Sequence, residues 1–317
     1  WDGQVEDDAR LVVAAARTAA AYGARVLTHV DAVAVGEGRA TLRDEDGEFT
    51  IDCDHIITCT GVWTEELNPE IRLSPSRGTH LIVPAERLGH PTACMTVAIP
   101  EEFGRFVFAI PQPDGLCYVG LTDLATDSLQ PDPPEPTADE LAWLRERISA
   151  ALAIPLREED VIGTYSGLRP LVSDAHAQTA DISRKHLIAR QPSGAIAVTG
   201  GKLTTYRKMA EDAVDLISGQ PCRTADIALV GAPGDSRSRD RLDRRFGAEA
   251  ALLHQAVERD HALGEHVADT PALAVEVGWA KDAEGALTPE EAAESRLRIT
   301  MVDACREPAL EAVRALW

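Results

Sequence analysis

Between Val198 and Arg207 the chain leaves an apolar strand, turns through Gly200-Gly201, and enters a helix with Lys202 at the junction. Two consecutive glycines let the backbone turn sharply and come close to a ligand, and the first N–H groups of the new helix direct positive partial charge at whatever lies there. Lys202 adds a full charge, so the segment reads as a built anion site. A phosphate-binding loop of the nucleoside triphosphate type needs glycine five residues before Gly201 and Ser or Thr after the lysine. Ile196 and Leu203 occupy those positions, which excludes that reading.

A chain of 317 residues, 44% apolar, can bury a full core and is expected to form two or three domains. Its net charge of -21 excludes nucleic acid as a partner, since phosphate backbones call for broad basic surface. Positive charge is scarce: Lys185, Lys202, Lys208 and Lys281 are the only lysines, and two of them fall in or just after the glycine turn. The cysteines, Cys53, Cys59, Cys94, Cys117, Cys222 and Cys305, form no CxxC pair and read as reduced, mostly buried thiols of a cytosolic protein. No apolar run reaches the ~18 residues of a membrane span, and no secretory signal is visible. The chain opens on Trp1 inside what reads as a domain, so a fragment of a longer protein is expected.

Asp7-Asp8 followed by an apolar face at Leu11, Val12, Ala15, Ala16 and Ala19 predicts a helix ending at Tyr22-Gly23. A strand is expected at 26–30, a hairpin from 39–44 to 48–52 around Glu45-Asp46-Gly47, and a buried strand over 54–61. The acidic turn is no calcium loop, because Phe49 and His55 stand where glycine and the last ligand are needed. These elements make half of a nucleotide-binding α/β domain. From 71 to 122 the pattern becomes alternating strands, at 79–83, 93–99, 106–110 and 116–121, with a tight turn at Pro113-Asp114-Gly115. A stiff proline-rich connection, 131–136, leads to an amphipathic helix over 138–152. Strands return at 161–165, 186–190 and 195–199, the last feeding the glycine turn and a helix over 203–218. A boundary at 232–236 precedes an alanine-, glutamate- and arginine-rich helical remainder. No internal repeat occurs.

In order along the chain, Asp8-Ala9-Arg10-Leu11, Thr58-Cys59-Thr60-Gly61-Val62-Trp63, Arg77-Gly78-Thr79-His80-Leu81-Ile82-Val83-Pro84, Arg105-Phe106-Val107-Phe108-Ala109-Ile110-Pro111, Gly120-Leu121-Thr122-Asp123, Tyr165-Ser166-Gly167-Leu168-Arg169-Pro170-Leu171 and Gly200-Gly201-Lys202-Leu203-Thr204-Thr205-Tyr206-Arg207 resemble the motifs of flavin-dependent, quinone-linked glycerol-3-phosphate dehydrogenases in the glycine/D-amino-acid oxidase superfamily. The resemblance is strong to about residue 220 and looser beyond. It implies a mixed α/β and α+β fold: a partial FAD-binding Rossmann-like domain at 1–70, an antiparallel-sheet substrate domain at 71–160, a return to both at 161–220, and a C-terminal helical domain at 221–317. The family's G-x-G-x-x-G turn is expected upstream. The nearest imitation, Gly36-Glu37-Gly38-Arg39-Ala40-Thr41, lacks the final glycine and leads into a strand.

The resemblance also implies roles. Oxidising glycerol 3-phosphate to dihydroxyacetone phosphate moves hydride from C2 to FAD while the C2 hydroxyl loses a proton. Arg105, Arg169 and Lys202 are expected to contact the substrate, Arg169 and Lys202 nearest its reacting end, because cations clamp phosphate oxygens and aim C2. His80 stands where the family has its active-site histidine, and imidazole can accept the hydroxyl proton; a core histidine is the plainer reading. Thr122 is a further expected substrate contact, beside Leu121 where the family often has threonine. Thr60 and Gly61, with Gly200, Gly201, Lys202, Leu203 and Thr204, are expected against the flavin.

Three alternatives share some of these residues: a glycerophosphate oxidase using oxygen, an amine or amino-acid oxidase, and a non-catalytic fragment that binds small anions. Quinone as acceptor, peripheral contact with the cytoplasmic face of the membrane and a homodimer follow from the resemblance alone. With a net charge of -21, an anionic lipid surface would repel most of the protein, so any such contact must be a small apolar or basic patch.

Overall fold

The computed structural model describes residues 5, 7–100, 102, 104–129, 133–173, 186–234, 238 and 240–317. Trp1, the first residues of the proline-rich connection, Lys185, and Asp235-Ser236 of the boundary lie outside them. Helix α1, Asp8–Ala21, begins where expected, with the Asp7 carboxylate accepting from the Arg10 N–H, and stops at Gly23 with φ +94. Strands β1 (Asp31–Gly36), β2 (Arg39–Asp44) and β3 (Gly47–Asp52) form an antiparallel meander. Its second turn is the expected hairpin, and its first is the Glu37-Gly38 corner.

Two expectations fail here. Residues 26–30 form no strand: Val26 and Leu27 are exposed and no described strand pairs with them, and an extended segment without a ladder partner has nothing to hold it. The strand expected over 54–61 shrinks to β4, Ile57–Thr58, in which only Thr58 is buried. The short helix α2, Thr64–Leu67, follows.

Strands β5 (Ser76–Pro84), β6 (Met95–Ala98), β7 (Phe106–Pro111), β8 (Leu116–Gly120) and β9 (Leu124–Ala125), then helix α3 (Ala138–Ser149) and strand β10 (Gly163–Arg169), build the main sheet. Its order is β10-β5-β8-β7-β6, antiparallel throughout, with β9 beside the start of β5. The sheet alternates as the sequence does. Leu81, Val83, Val107, Ala109, Cys117 and Val119 share one face and pack against Leu144 and Ile148 of α3, all fully buried. Each buried Leu, Ile or Val among them contributes about 1.5–3 kcal/mol relative to exposure. Strand β10 runs four residues past its expected end, so the Ser166-Gly167-Leu168-Arg169 motif lies on a strand.

Strands β11 (His186–Arg190) and β12 (Ile196–Gly200) complete a third sheet, in which β12 runs antiparallel to β11 and parallel to β4. A 3-10 turn, Leu203–Thr205, opens α4, Tyr206–Val214, shorter than the helix expected to Ser218. Helices α5 (Arg241–Phe246), α6 (Ala250–Arg259), α7 (Ala274–Asp282), α8 (Pro289–Glu291) with its π-helical continuation to Leu297, and α9 (Asp303–Leu316) make the C-terminal region. Ion pairs bind α1 to it: Arg10 to Glu284, Arg17 to Glu249, and Asp7 to the buried Arg245 at 2.9 Å. The cysteines are all free, but mostly not buried: Cys117 is, whereas Cys59, Cys94 and Cys222 are exposed. A thiol is small enough to sit at a strand end or loop without a core to hold it.

Candidate functional site

Alternation along β5 places Ser76, Gly78 and His80 on the sheet face opposite α3. Directly across from them stand Arg169, Gly167 and Tyr165 of β10, and Gly120 of β8 is the other neighbour of His80. The glycines leave this face without side chains, and two long groups fill the room. The Arg169 guanidinium lies over Gly78, where an added Cβ would stand 2.7 Å from Cζ; the His80 ring lies over Gly120, where a Cβ would stand 2.6 Å from Nε2. Arg169 donates to Ser76 Oγ (3.3 Å) and to the Thr122 carbonyl (3.3 Å), and pairs with Asp123 at 3.5 Å. Ser76 in turn donates to Asp123.

His80 stacks on Tyr165 with centroids 4.6 Å apart and planes 5° from parallel, and Tyr118 meets Tyr165 edge-on. Burial and the charge of Arg169 push the His80 pKa down to about 4, so the ring is neutral at pH 7. Its Nδ1 is buried with no hydrogen-bond partner. Burial likewise raises the Tyr118 hydroxyl to about 12, leaving it protonated. The face therefore presents one fixed cation beside a neutral base with an unspent nitrogen.

At the end of β12, Gly200 (φ +73) and Gly201 (φ +82) take the left-handed conformation that glycine adopts freely. Position 201 is doubly constrained, since a Cβ would stand 2.6 Å from Met209 Sδ. Lys202, Leu203 and Thr204 are exposed, and no side chain caps the 3-10 turn that begins there, so its leading N–H groups are free to meet an acceptor. Beside it, the chain leaving β4 turns at Thr60-Gly61. Thr64 fastens this corner to β12 by bonding the Gly61 carbonyl (2.6 Å) and Thr199 (3.2 Å). The Thr60 hydroxyl is buried without a partner.

Arg169 and Lys202 come together, lining one open cleft of about 400 Å³ with Leu168, Pro170, Leu171, Gly200 and Gly201. His80 shares the sheet face with Arg169. Arg105 does not join them: it pairs with Glu102 at 2.8 Å and lines a separate cleft of about 600 Å³ with Phe106, Phe108, Leu121 and Thr122. Arg105 directly precedes β7, which β8 separates from β5 in the sheet. Thr122 also departs from expectation, because its buried hydroxyl donates to Glu140 at 2.8 Å and accepts from the Thr79 N–H at 3.0 Å. Only its carbonyl faces Arg169. Sequence reasoning missed Ser76, Tyr165 and Glu140. The Thr-x-x-Glu spacing of Thr137 and Glu140 was legible as a capping box, but nothing in it announced a glutamate only 2% exposed.

The family model described as FAD dependent oxidoreductase matches residues 1–207. Glycerol-3-phosphate dehydrogenase 1 of Mycobacterium tuberculosis is 40% identical over 97% of this chain and 63% of its own length. A mitochondrial glycerol-3-phosphate dehydrogenase of Arabidopsis thaliana is 34% identical over 74% of this chain and 40% of its own. This chain thus spans less than two thirds of the curated relatives it matches. Among solved structures, the glycerol-3-phosphate dehydrogenase from Bacillus halodurans complexed with FAD superposes with a TM-score of 0.78 at 24% identity, covering 97% of this chain and 68% of that one. That likeness establishes the mixed α/β and α+β fold.

Proposed function

The chain belongs to the FAD dependent oxidoreductase family, and from that premise we propose that it serves the oxidation of sn-glycerol 3-phosphate to dihydroxyacetone phosphate, with hydride passing from C2 to FAD and electrons passing on to quinone. The observation that carries this reading is the meeting of Arg169 and Lys202 in one cleft of a protein whose net charge is -21. Lys202 has no acidic partner among the described residues, whereas Lys208 is held by Glu211 and Asp212. Unpaired Lys202 with the Arg169 guanidinium beside it suits a small phosphorylated substrate, and the relatives carrying this sequence pattern bear the corresponding name.

Gly200 and Gly201 with bare backbone, the uncapped N–H groups after Lys202, and the unpartnered Thr60 hydroxyl fit a flavin ring edged with acceptors. FAD, when bound, supplies the hydride acceptor. The Gly36-Glu37-Gly38 segment serves only as the corner between β1 and β2 and cradles no pyrophosphate. Arg169 and Lys202 hold substrate oxygens and orient C2. Neutral His80 takes the C2 hydroxyl proton at Nε2, the ring nitrogen that is not fully buried, as the carbonyl forms, and an anionic substrate nearby raises its proton affinity above that of the empty site.

The test is an anaerobic absorbance spectrum of the protein expressed from its whole reading frame, before and after glycerol 3-phosphate. Bleaching of bound flavin is expected; flavin that stays oxidised would point to another substrate, and absence of flavin would favour an anion-binding protein. Reduction of a soluble quinone without peroxide would support the acceptor, and peroxide would favour oxygen. The same proposal includes a cytoplasmic enzyme that touches the membrane peripherally and forms a homodimer. Vesicle co-sedimentation and sedimentation equilibrium test those parts. No helix among the described residues is long and apolar enough to cross a membrane.

A further inference from the structure

We infer that Glu140, on the α3 side of the sheet, is a positioning residue for Arg169 and acts through Thr122. The inference rests on the reading of Arg169 as an anion ligand. A glutamate at the third position of a helix is ordinarily a solvated cap, and Glu140 does cap α3, accepting from the Thr137 N–H at 3.0 Å. A cap does not require burial, yet Glu140 is 2% exposed and also accepts from Arg77 Nε (3.0 Å), Thr79 Oγ1 (2.8 Å) and Thr122 Oγ1 (2.8 Å). Burying a carboxylate is costly unless such donors meet it, and here they come from β5, from the segment after β8 and from the start of α3.

The segment 121–123 bridges β8, which pairs with β5 from His80 onward, and β9, which pairs with β5 at Ser76 and Arg77. Between those ladders its one backbone bond to β5 is long, Thr122 N to Thr79 O at 3.4 Å. The Thr122 hydroxyl supplies the firmer attachment, bonded to Glu140 and to the Thr79 N–H. With that side chain pinned on the α3 face, the Thr122 carbonyl and the Asp123 carboxylate are delivered to the opposite face, where both hold Arg169. Glu140 thus fixes two of the acceptors that orient the guanidinium, across the thickness of the sheet.

The experiment uses protein from the whole reading frame with Glu140→Gln, Thr122→Val, Arg169→Ala and the two doubles with Arg169→Ala. Inorganic phosphate affinity is read by calorimetry, and KM and kcat for glycerol 3-phosphate are read alongside. Glu140→Gln and Thr122→Val should each weaken phosphate binding about tenfold, the scale of one charge-assisted hydrogen bond, and raise KM more than they lower kcat. In the Arg169→Ala background the same changes should cost less than about twofold, since the group they position is gone. Equal losses in both backgrounds, no loss from either single change, or a wild type whose phosphate affinity ignores Arg169 would overturn the inference. Should Glu140→Gln fail to fold, Thr122→Val carries the test. If phosphate coupling holds but glycerol 3-phosphate is never oxidised, the substrate reading falls while the positioning role stands.

Discussion

The guanidinium of Arg169, whose backbone pairs with Ser76 across the β5–β10 ladder, reaches back to occupy the place that a side chain at Gly78 would take. Glycine is required there for room, not for backbone conformation, since Gly78 carries no left-handed φ. A methyl group at 78 would meet the far end of a flexible side chain, which can move aside at little cost in stability. Gly78→Ala should therefore leave the melting temperature within about 2 °C of wild type while weakening glycerol 3-phosphate binding roughly tenfold or more through a misaimed Arg169. Calorimetric scans and steady-state kinetics on the same preparation check both halves.

Neutral, half-buried His80 makes stability depend on pH in one direction. Its pKa falls from 6.5 to about 4 on folding, for burial first and the charge of Arg169 second. Between those values the unfolded chain binds the extra proton, so stability is full above pH 6.5 and is lost as pH falls toward 4, by roughly 3 kcal/mol. Urea midpoints measured across that window should slope accordingly, and His80→Gln should flatten the slope. An unchanged slope in the variant would mean that another group carries it.

A buried hydroxyl without a partner, such as Thr60 Oγ1, destabilises the empty protein. Thr60→Val is expected to raise the stability of flavin-free protein by about 1 kcal/mol and to lower FAD affinity. Thermal denaturation with and without added FAD separates the two effects, and a gain in FAD affinity would refute the assignment.

Asp7 joins α1 to the C-terminal helices through Arg245, both side chains nearly fully buried, and also caps α1. Asp7→Asn removes the closer of the two carboxylates beside Arg245 and leaves Glu276 at 3.6 Å, so it should cost about 1.5–3 kcal/mol, the scale of a hydrogen bond to a charged group. Replacing both, with Asp7→Leu and Arg245→Met, should cost less than Asp7→Asn alone. Denaturant titrations of the three proteins decide it.

Local patterning determined a good deal of this protein. Asp7-Asp8 and the apolar face behind it marked α1, Pro113-Asp114-Gly115 marked the β7–β8 turn, and the alternation of Thr79 to Val83 told which side chains of β5 share a face, because each signal acts over a few neighbouring residues. Gly200-Gly201-Lys202 announced its turn for the same reason. What depended on distant partners was decided only by the tertiary structure. Residues 26–30 look like a strand and form none for want of a neighbour. Arg105 and Arg169 were both expected against the substrate, but one pairs with Glu102 and lines another cleft while the guanidinium of the other lies over Gly78. Thr122 was legible as a polar residue in a motif; that its hydroxyl turns to Glu140 and its carbonyl to Arg169 depends on β8 and β9 both pairing with β5. Hydrogen bonds and close packing act between surfaces that only the folded chain brings within a few ångströms, and so the direction of each side chain in the site belongs to the fold.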